Sequence, residues 1–384
     1  MTVPESRDIV VVGAGLLGLA TAHALARRGR DVVVLDQAEI GHPGGGSHGG
    51  ARIFRLGYAD PGYVAMARRA RELWSDLEAE SGQRLLLPAG QLTFGDGLTG
   101  LRRAMRAAVA PCEMLSAGEA AARFPAVTGG GPCVYEPESC VIAADRVLSA
   151  LAASLTDVRC GVAVTGVQPD GGRVIVRAGR VTFSAYCAVL CAGPWTSRLL
   201  AGAGVAVPAA ATLEQVAYVA PAGARSRAAG SGPVTPIFIR HGSLSPYGLP
   251  VPGQPLYKVG VHPAGPGRAA GPLIDPGDLG TGTQPGQDPG LGDRLSEVVR
   301  QYLPGFDPRP VAAERCVYDH SPDQDFIVDR IGRVVVGSGT SGHAFKFGPL
   351  LGEWLADLAT GRAALGLPPR FSLSRFGGAA GSPG

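Results

Sequence analysis

The chain has 384 residues, 45% of them hydrophobic and 17% charged, with a net charge of +3. That length suits two to three domain-sized units or one elaborated domain, and the apolar fraction excludes a chain too polar to bury a core, although 58 glycines and 32 prolines announce many loops. No apolar run reaches the ~18 residues of a membrane span; the N-terminal apolar stretch lacks the basic flank of a signal peptide; and the dispersed charges give no nucleic-acid footprint.

The seven cysteines are odd in number and include no CxxC pair, which argues against a disulfide scaffold or a zinc ribbon and for a cytoplasmic protein in a reducing compartment. Of 35 basic residues only Lys258 and Lys346 are lysines. In a chain where arginine has replaced lysine almost everywhere, a retained lysine marks either chance survival on the surface or a position needing a compact ammonium with a tunable pKa.

In chain order, Asp8–Val12 reads as a buried strand, Gly13-x-Gly15-x-x-Gly18 as a turn, the following LATAHALARRG as a helix, and Asp31–Asp36 as a second buried strand. Gly41–Gly50 is a glycine-dense loop, and a helix runs from about Gly62 to Ser81. Short β patterns follow at Gly90–Phe94 and Val134-Tyr135, then a helix over Asp145–Leu155 and a hairpin of Arg173–Arg177 with Arg180–Phe183. Tyr186–Cys191 is a buried strand. Ala209–Ala220, Pro236–Arg240 and Pro255–His262 predict antiparallel strands of a second sheet. Pro263–Gly292 reads as a long surface loop, Asp293–Tyr302 as a helix, Arg333–Val336 as a strand, Gly348–Thr360 as a helix and Gly377–Gly384 as a disordered tail.

The strand, glycine turn, helix and second strand form a βαβ opening of dinucleotide-binding size. Gly13 makes the tight turn, Gly15 lets backbone approach a pyrophosphate, Gly18 permits close helix–strand packing, and the helix N-terminus offers N–H groups to phosphate. Asp36, 18 residues beyond Gly18, is placed to accept from ribose hydroxyls, and an acid there disfavours NADP. The motif alone does not separate FAD from NAD.

Further segments narrow the choice. Gly46-Ser-His-Gly-Gly-Ala-Arg52-Ile-Phe-Arg55, Gly90-Gln-Leu-Thr-Phe94, Tyr135-Glu-Pro137, Cys191-Ala-Gly193-Pro-Trp195, Tyr247-Gly-Leu-Pro250, Lys258-Val-Gly260-Val-His262, Cys316-Val-Tyr318 and Gly339-Thr-Ser-Gly-His343-Ala-Phe-Lys346 occur in this order along nearly the whole chain. Together they resemble the family of monomeric sarcosine oxidase, N-methyltryptophan oxidase and pipecolate oxidase, flavoenzymes of the D-amino-acid oxidase fold class.

The resemblance implies an α/β protein with a Rossmann-like FAD-binding domain (residues 1–85, 145–208 and 311–384) interleaved with an α+β substrate domain built on an antiparallel sheet (86–144 and 209–310). It implies FAD held covalently through Cys316, and cofactor contacts from Gly13, Gly15, Gly18, Asp36, Ser47, His48, Arg52, Val164, Gly193, Trp195, Gly339, Gly342, His343 and Lys346. It implies that Lys258 and Arg52 stand near the reacting part of the flavin, that Arg55 and Lys346 bind a substrate carboxylate, and that Tyr247 and His262 belong to the pocket. Both lysines thus fall on family active-site positions. The partners expected are a carboxylate-bearing secondary amine and O₂, with no metal, and the chain acting as a monomer.

Several positions depart from the family pattern: Ala344 replaces a glycine, Gly49, Gly50 and Ala51 replace polar residues, and Asp319 and His320 follow Tyr318. They point to a cyclic or bulkier amino acid rather than sarcosine. Asp319–Asp325, rich in Ser, His and Asp, reads as a solvated turn bordering the site. The alternatives are a biosynthetic flavin dehydrogenase of the same fold using another acceptor, and a NAD-dependent dehydrogenase or non-catalytic dinucleotide-binding protein.

Overall fold

The computed structural model describes residues 3–223, 235–263, 272–279 and 286–377. Glu5–Val12 forms β1, Leu16–Arg27 forms α1 and Val32–Leu35 forms β2. β1 and β2 pair in parallel from Ile9–Val32 to Val12–Leu35. Ile9, Val10, Val11 and Val12 are all buried, without alternation between an inner and an outer face, as expected of a parallel strand covered on both sides.

The turn between β1 and α1 depends on two glycines. Gly13 has φ +103, and a Cβ there would run into the Cys191 carbonyl. A Cβ on Gly18 would fall on the carbonyl oxygen of Gly13, so α1 can lie this close to β1 only without that side chain.

Val181–Leu190 flanks β1 in parallel. Its first half pairs antiparallel with Arg173–Ala178, and its second half pairs in parallel with Val334–Ser338. One ten-residue strand therefore stands where the sequence suggested two. Among the described residues this sheet has eight strands. α1 and the Gly348–Ala359 helix cover one face, together with Pro61–Ser81, labelled α2 below. Asp60 caps α2 by accepting from Gly62 N at 2.7 Å, Pro61 opens it, and Val64, Ala67, Ala70, Trp74 and Leu77 form its buried stripe.

The second sheet has nine described strands, mostly antiparallel. Ala210–Val219 lies between Tyr257–Pro263 and Ala312–His320, with Leu244–Pro250 beyond. Residues 312–320, assigned from sequence to the dinucleotide unit, pair along their length with Ala210–Val219 and so stand with this sheet. A third, three-stranded sheet joins Ala51–Phe54 (β3) to Cys140–Ala143 and Leu86–Pro88.

Other expectations are corrected. Between Gly95 and Cys133, where only short β patterns were read, helices Leu98–Ala107 and Ala117–Arg123 form. The second is opened by a reciprocal capping box of Ser116 and Glu119, a Ser-x-x-Glu pattern visible in the sequence. The helix expected at Asp293 begins at Pro289, with Asp288 accepting from Leu291 N at 3.2 Å. Within the supposed loop Pro263–Gly292, Leu273–Ile274 pairs with Ala211 and Thr212, and Pro276–Asp278 is a 3₁₀ turn. Residues 264–271 and 280–285 of that loop, and the tail from 378 onward, lie outside the described residues. Asp319, His320 and Ser321 are buried rather than solvated, because their strand end is covered by the 338–341 segment.

The glycine turn generates a test. Gly18→Ala should lower stability by about 1–3 kcal/mol, because the new methyl meets backbone rather than a movable side chain. Urea unfolding measures it; an unchanged midpoint would contradict the close helix–strand contact.

Candidate active site

Two cavities meet between the sheets. The first, about 580 Å³, runs from the glycine turn past the 41–48 loop to Tyr318 and Gly342. Gly13, Gly15, Asp36, Ser47, His48, Arg52, Val164, Gly193, Trp195 and Gly342 line it. Gly18 sits behind the turn, and Gly339, with φ +63, packs on Ile327 and Ser321 instead. At the turn, Ser47 Oγ accepts from Leu16 N at 3.0 Å, tying the glycine-rich loop to the start of α1. α1 has no side-chain cap at Gly15 and no acid in its first turn, which leaves its N-terminus suited to an anion. Asp36 accepts from Ala14 N at 2.6 Å and from Ala38 N at 2.9 Å, and each oxygen keeps a lone pair for a further donor. Trp195 Nε1 donates to Pro276 O at 3.0 Å, drawing the 276–279 segment over the cavity mouth. His42, which sequence reading left without a role, lies 3.9 Å from Asp36 and lines the same cavity. These features fit an FAD: a phosphate cradle that a Cβ would fill, a carboxylate at the strand end and an adjoining hollow of about 580 Å³.

The second cavity, about 560 Å³, is lined by Arg52, Arg55, Tyr247, Lys258, His262, Cys316, His343 and Lys346. Arg52, Tyr318, Gly342 and Phe345 belong to both hollows. Strand alternation explains much of this gathering. Glu314, Cys316, Tyr318 and His320 share one face of their strand, and across the sheet Lys258 stands opposite Tyr218 and Tyr247 opposite Gly260. Tyr247 and His262 stack with centroids 4.7 Å apart.

Four cations surround the space. Arg52 gives its guanidinium to the carbonyls of Ala51 (2.9 Å), Gly46 (3.0 Å) and His48 (2.5 Å). Arg55 donates to Gly57 O and lies 4.2 Å over the Tyr58 ring. Lys258 is 3% exposed, donates to Ala51 O at 3.5 Å, and is held down to a pKa of about 8 by burial and by Arg52. Lys346 is 5% exposed, donates to His343 O at 2.7 Å, and is pushed well below the ordinary lysine range by burial and by Arg55. Trp74 of α2 donates its Nε1 to Lys346 O at 2.7 Å, fixing that residue's main chain. Among the described residues, no carboxylate lies within ion-pair distance of any of these four.

Cys316 is 3% exposed, with its Sγ 3.8 Å from His48 Nε2. His48 Nδ1 faces Gly45 O at 2.9 Å, so that nitrogen carries the proton and Nε2 is left to accept the thiol's. Burial alone would raise the thiol pKa. The His48 contact and the charges of Lys258 and Arg52 outweigh it and bring the value to about 7. The other six cysteines are also free thiols, and burial raises those of Cys187 and Cys191 to about 12.

Sequence reasoning missed Tyr58, Tyr63, His241 and Asp325, which also line the second cavity. Tyr63 OH donates to Asp325 Oδ1 at 2.8 Å, and Arg375 donates to Asp323 Oδ2 at 2.7 Å and to Asp325 O at 2.9 Å, so the C-terminal turn braces this wall. Tyr58 and Tyr63 were legible only as part of the approach to a helix. Asp325 was hidden by the appearance of a polar turn.

The chain is 32% identical over 390 residues to a mouse protein named peroxisomal sarcosine oxidase, covering 96% of this chain and 95% of that one. It is 30% identical to the N-methyl-L-tryptophan oxidase of Yersinia pestis (strain Pestoides F), covering 96% and 99%. The solved structure of NikD, described as an unusual amino acid oxidase essential for nikkomycin biosynthesis, superposes with a TM-score of 0.77 at 28% identity, covering 92% and 94%. Residues 8–358 match the family described as FAD dependent oxidoreductase. With its glycine turn, its paired cavities and these likenesses, the chain belongs to that family of flavoenzymes.

Proposed function

We propose that this protein is an FAD-dependent oxidase of secondary amino or imino acids, with O₂ as electron acceptor and H₂O₂ as product. The observation that carries the reading is the convergence of Arg55 and Lys346 on the same cavity as Lys258, Arg52 and Cys316, where the nucleotide-sized hollow opens. The interleaved units we assign are residues 3–85, 145–208 and 321–377 for FAD, with the remainder serving the substrate. A single chain carries every residue invoked. The seven free cysteines suit a reducing, cytosolic setting.

FAD, when bound, supplies a two-electron acceptor for the hydride on the carbon beside the substrate nitrogen. The α1 N-terminus and Gly13–Gly15 would hold its pyrophosphate, Asp36 its ribose, and Cys316 its ring through a thioether. His48 takes the Cys316 proton, and Lys258 and Arg52 stabilise the thiolate.

Arg55 and Lys346 approach the cavity from distant parts of the sequence and give charge-assisted hydrogen bonds to one carboxylate. That anion adds to the weaker influence of Glu314 and Asp145 on Lys258 in offsetting the positive field. Arg52 and Lys258 disfavour a protonated substrate amine, because like charges in a water-poor cavity repel. A neutral amine has the lone pair from which carbon–nitrogen oxidation proceeds. Lys258 also stabilises the negative charge that develops on oxygen as it takes electrons.

A second reading, a ring-oxidising enzyme acting on a cyclic or bulkier imino acid, is favoured by the aromatic wall. Tyr58 and Tyr63 stack 5.0 Å apart beside His343, and the Tyr247–His262 stack lines the same cavity. Measurement of peroxide formed per substrate consumed separates an oxidase from an enzyme passing electrons elsewhere. Anaerobic bleaching by sarcosine, proline, pipecolate and N-methyl amino acids tests the substrate side.

Three variants test the roles. Acid-denatured parent protein should keep its flavin, Cys316→Ala should release it, and His48→Asn should slow attachment; free flavin from the parent would end the covalent assignment. Lys258→Met should slow flavin reoxidation by O₂ at least tenfold, about 1.4 kcal/mol, a far larger change than it makes in flavin content. Because Lys258 is charged below its pKa of about 8 and neutral above it, the parent's reoxidation rate should fall as pH rises through that value. The Met variant should be flat there. Equal reoxidation rates in the two proteins would remove Lys258 from the oxygen step.

A further inference from the structure

We propose that Lys346 is the proton acceptor of the substrate site: it waits uncharged, takes the proton of the substrate's ammonium group as the ligand enters, and thereby becomes the cation that holds the carboxylate. The inference rests on the carboxylate-binding role given to Arg55 and Lys346 above, and adds the fate of the substrate's proton.

The geometry is that of a buried lysine with no ion-pair partner among the described residues. Its Nζ lies 5.6 Å from the Tyr58 ring centroid and 5.4 Å from that of Phe347, and donates to the carbonyl of His343. A neutral amine can still donate to that carbonyl, though less strongly than an ammonium. Arg55, always charged, lines the same cavity and stacks on the same tyrosine. The buried Glu136 carboxyl, its pKa pushed up by burial, interacts with Arg55 and accepts from Gly57 N. Arg55 and a charged Lys346 around one aromatic ring still repel; only lysine can relieve this by losing its proton, in keeping with the downward direction of its pKa.

The other titratable groups facing the cavity do not supply the missing charge. His262 and His343 are held neutral, with pKa values of about 3, and His241 with about 4, in each case chiefly by burial. Tyr58 is pushed up to about 12 and stays protonated. Asp325 is engaged by Tyr63 and Arg370, and Asp323 by Arg375.

An amino acid arrives from water as a zwitterion, with one proton too many on nitrogen for oxidation and one negative charge to be met. The lone pair of Lys346 Nζ forms the new N–H bond. The substrate N–H bond breaks, and its electron pair stays on the substrate nitrogen. Charge is conserved within the site, no proton passes to solvent, and the amine is left with its lone pair. The same transfer turns a cavity hostile to ammonium into one with a cation for the carboxylate.

Calorimetric titration of the flavin-loaded protein at pH 7.0, where Lys258 with its pKa of about 8 is already charged, in buffers of different ionisation enthalpy, counts protons exchanged on binding. Isobutyrate is a carboxylate with no proton to give. 2-Aminoisobutyrate is a zwitterion with no hydrogen on its α-carbon to be oxidised. Isobutyrate should draw about one proton per site from buffer and 2-aminoisobutyrate about none. Lys346→Arg should lower both values by about one, while Lys258→Met should leave the isobutyrate uptake in place. Binding of isobutyrate without proton uptake overturns the proposal, as does equal uptake with both ligands or loss of uptake only in Lys258→Met; each of these leaves the carboxylate site itself standing. Failure of isobutyrate to bind overturns that site, and the proposal with it.

Discussion

Basic side chains taken out of water without a direct ion-pair partner among the described residues are the constraint on which this molecule is organised. Lys258, Lys346, Arg52 and Arg55 all face the second cavity, and their hydrogen bonds go to main-chain carbonyls. Carbonyls satisfy donors without cancelling charge. Such an arrangement is costly to an empty fold and becomes favourable once anionic groups are present. The first cavity offers an anion the uncapped N-terminus of α1 by the same logic, with dipoles in place of side-chain charges. Both hollows are thus built to be completed by what binds in them.

The scaffold holds these cations by rigid means. β3 carries Arg52 and runs on towards Arg55, the second sheet carries Lys258 and Cys316, and the short turn before the Gly348–Ala359 helix carries Lys346. Trp74 fastens the Lys346 main chain from α2, and the Arg52 guanidinium pins the glycine loop that bears His48. The environment of Cys316 and the electrostatics of the second cavity therefore share residues: Lys258 and Arg52, which lower the thiol pKa, also line that cavity.

The sequence made the dinucleotide half plain because its determinants are local. Gly13, Gly15, Gly18 and Asp36 lie within one βαβ unit, and a short stretch of chain fixes their relative positions. The scarcity of lysine was informative for a different reason: substitution pressure had cleared the background, and both survivors are buried at one cavity. The boundary near residue 311 was misplaced because Ala312–His320 owes its membership of a sheet to a nine-residue pairing with a strand a hundred positions earlier, which no local pattern records. Asp319–Ser321 looked solvated because polar composition in a short window cannot reveal that Ser338, Thr340 and Ser341 close over it. The missed helix at Ala117–Arg123 did have a local sign, the Ser116–Glu119 pair, obscured by glycine and alanine around it.

The brace formed by Arg375 sets an order of assembly. The loop containing Asp323 and Asp325 is part of the substrate-side wall, and it is anchored by a side chain some fifty residues later, beyond the last long helix. During synthesis the βαβ unit emerges from the ribosome before the brace does. The glycine turn at α1 can therefore form ahead of the substrate-side wall, which waits until Arg375 has been made.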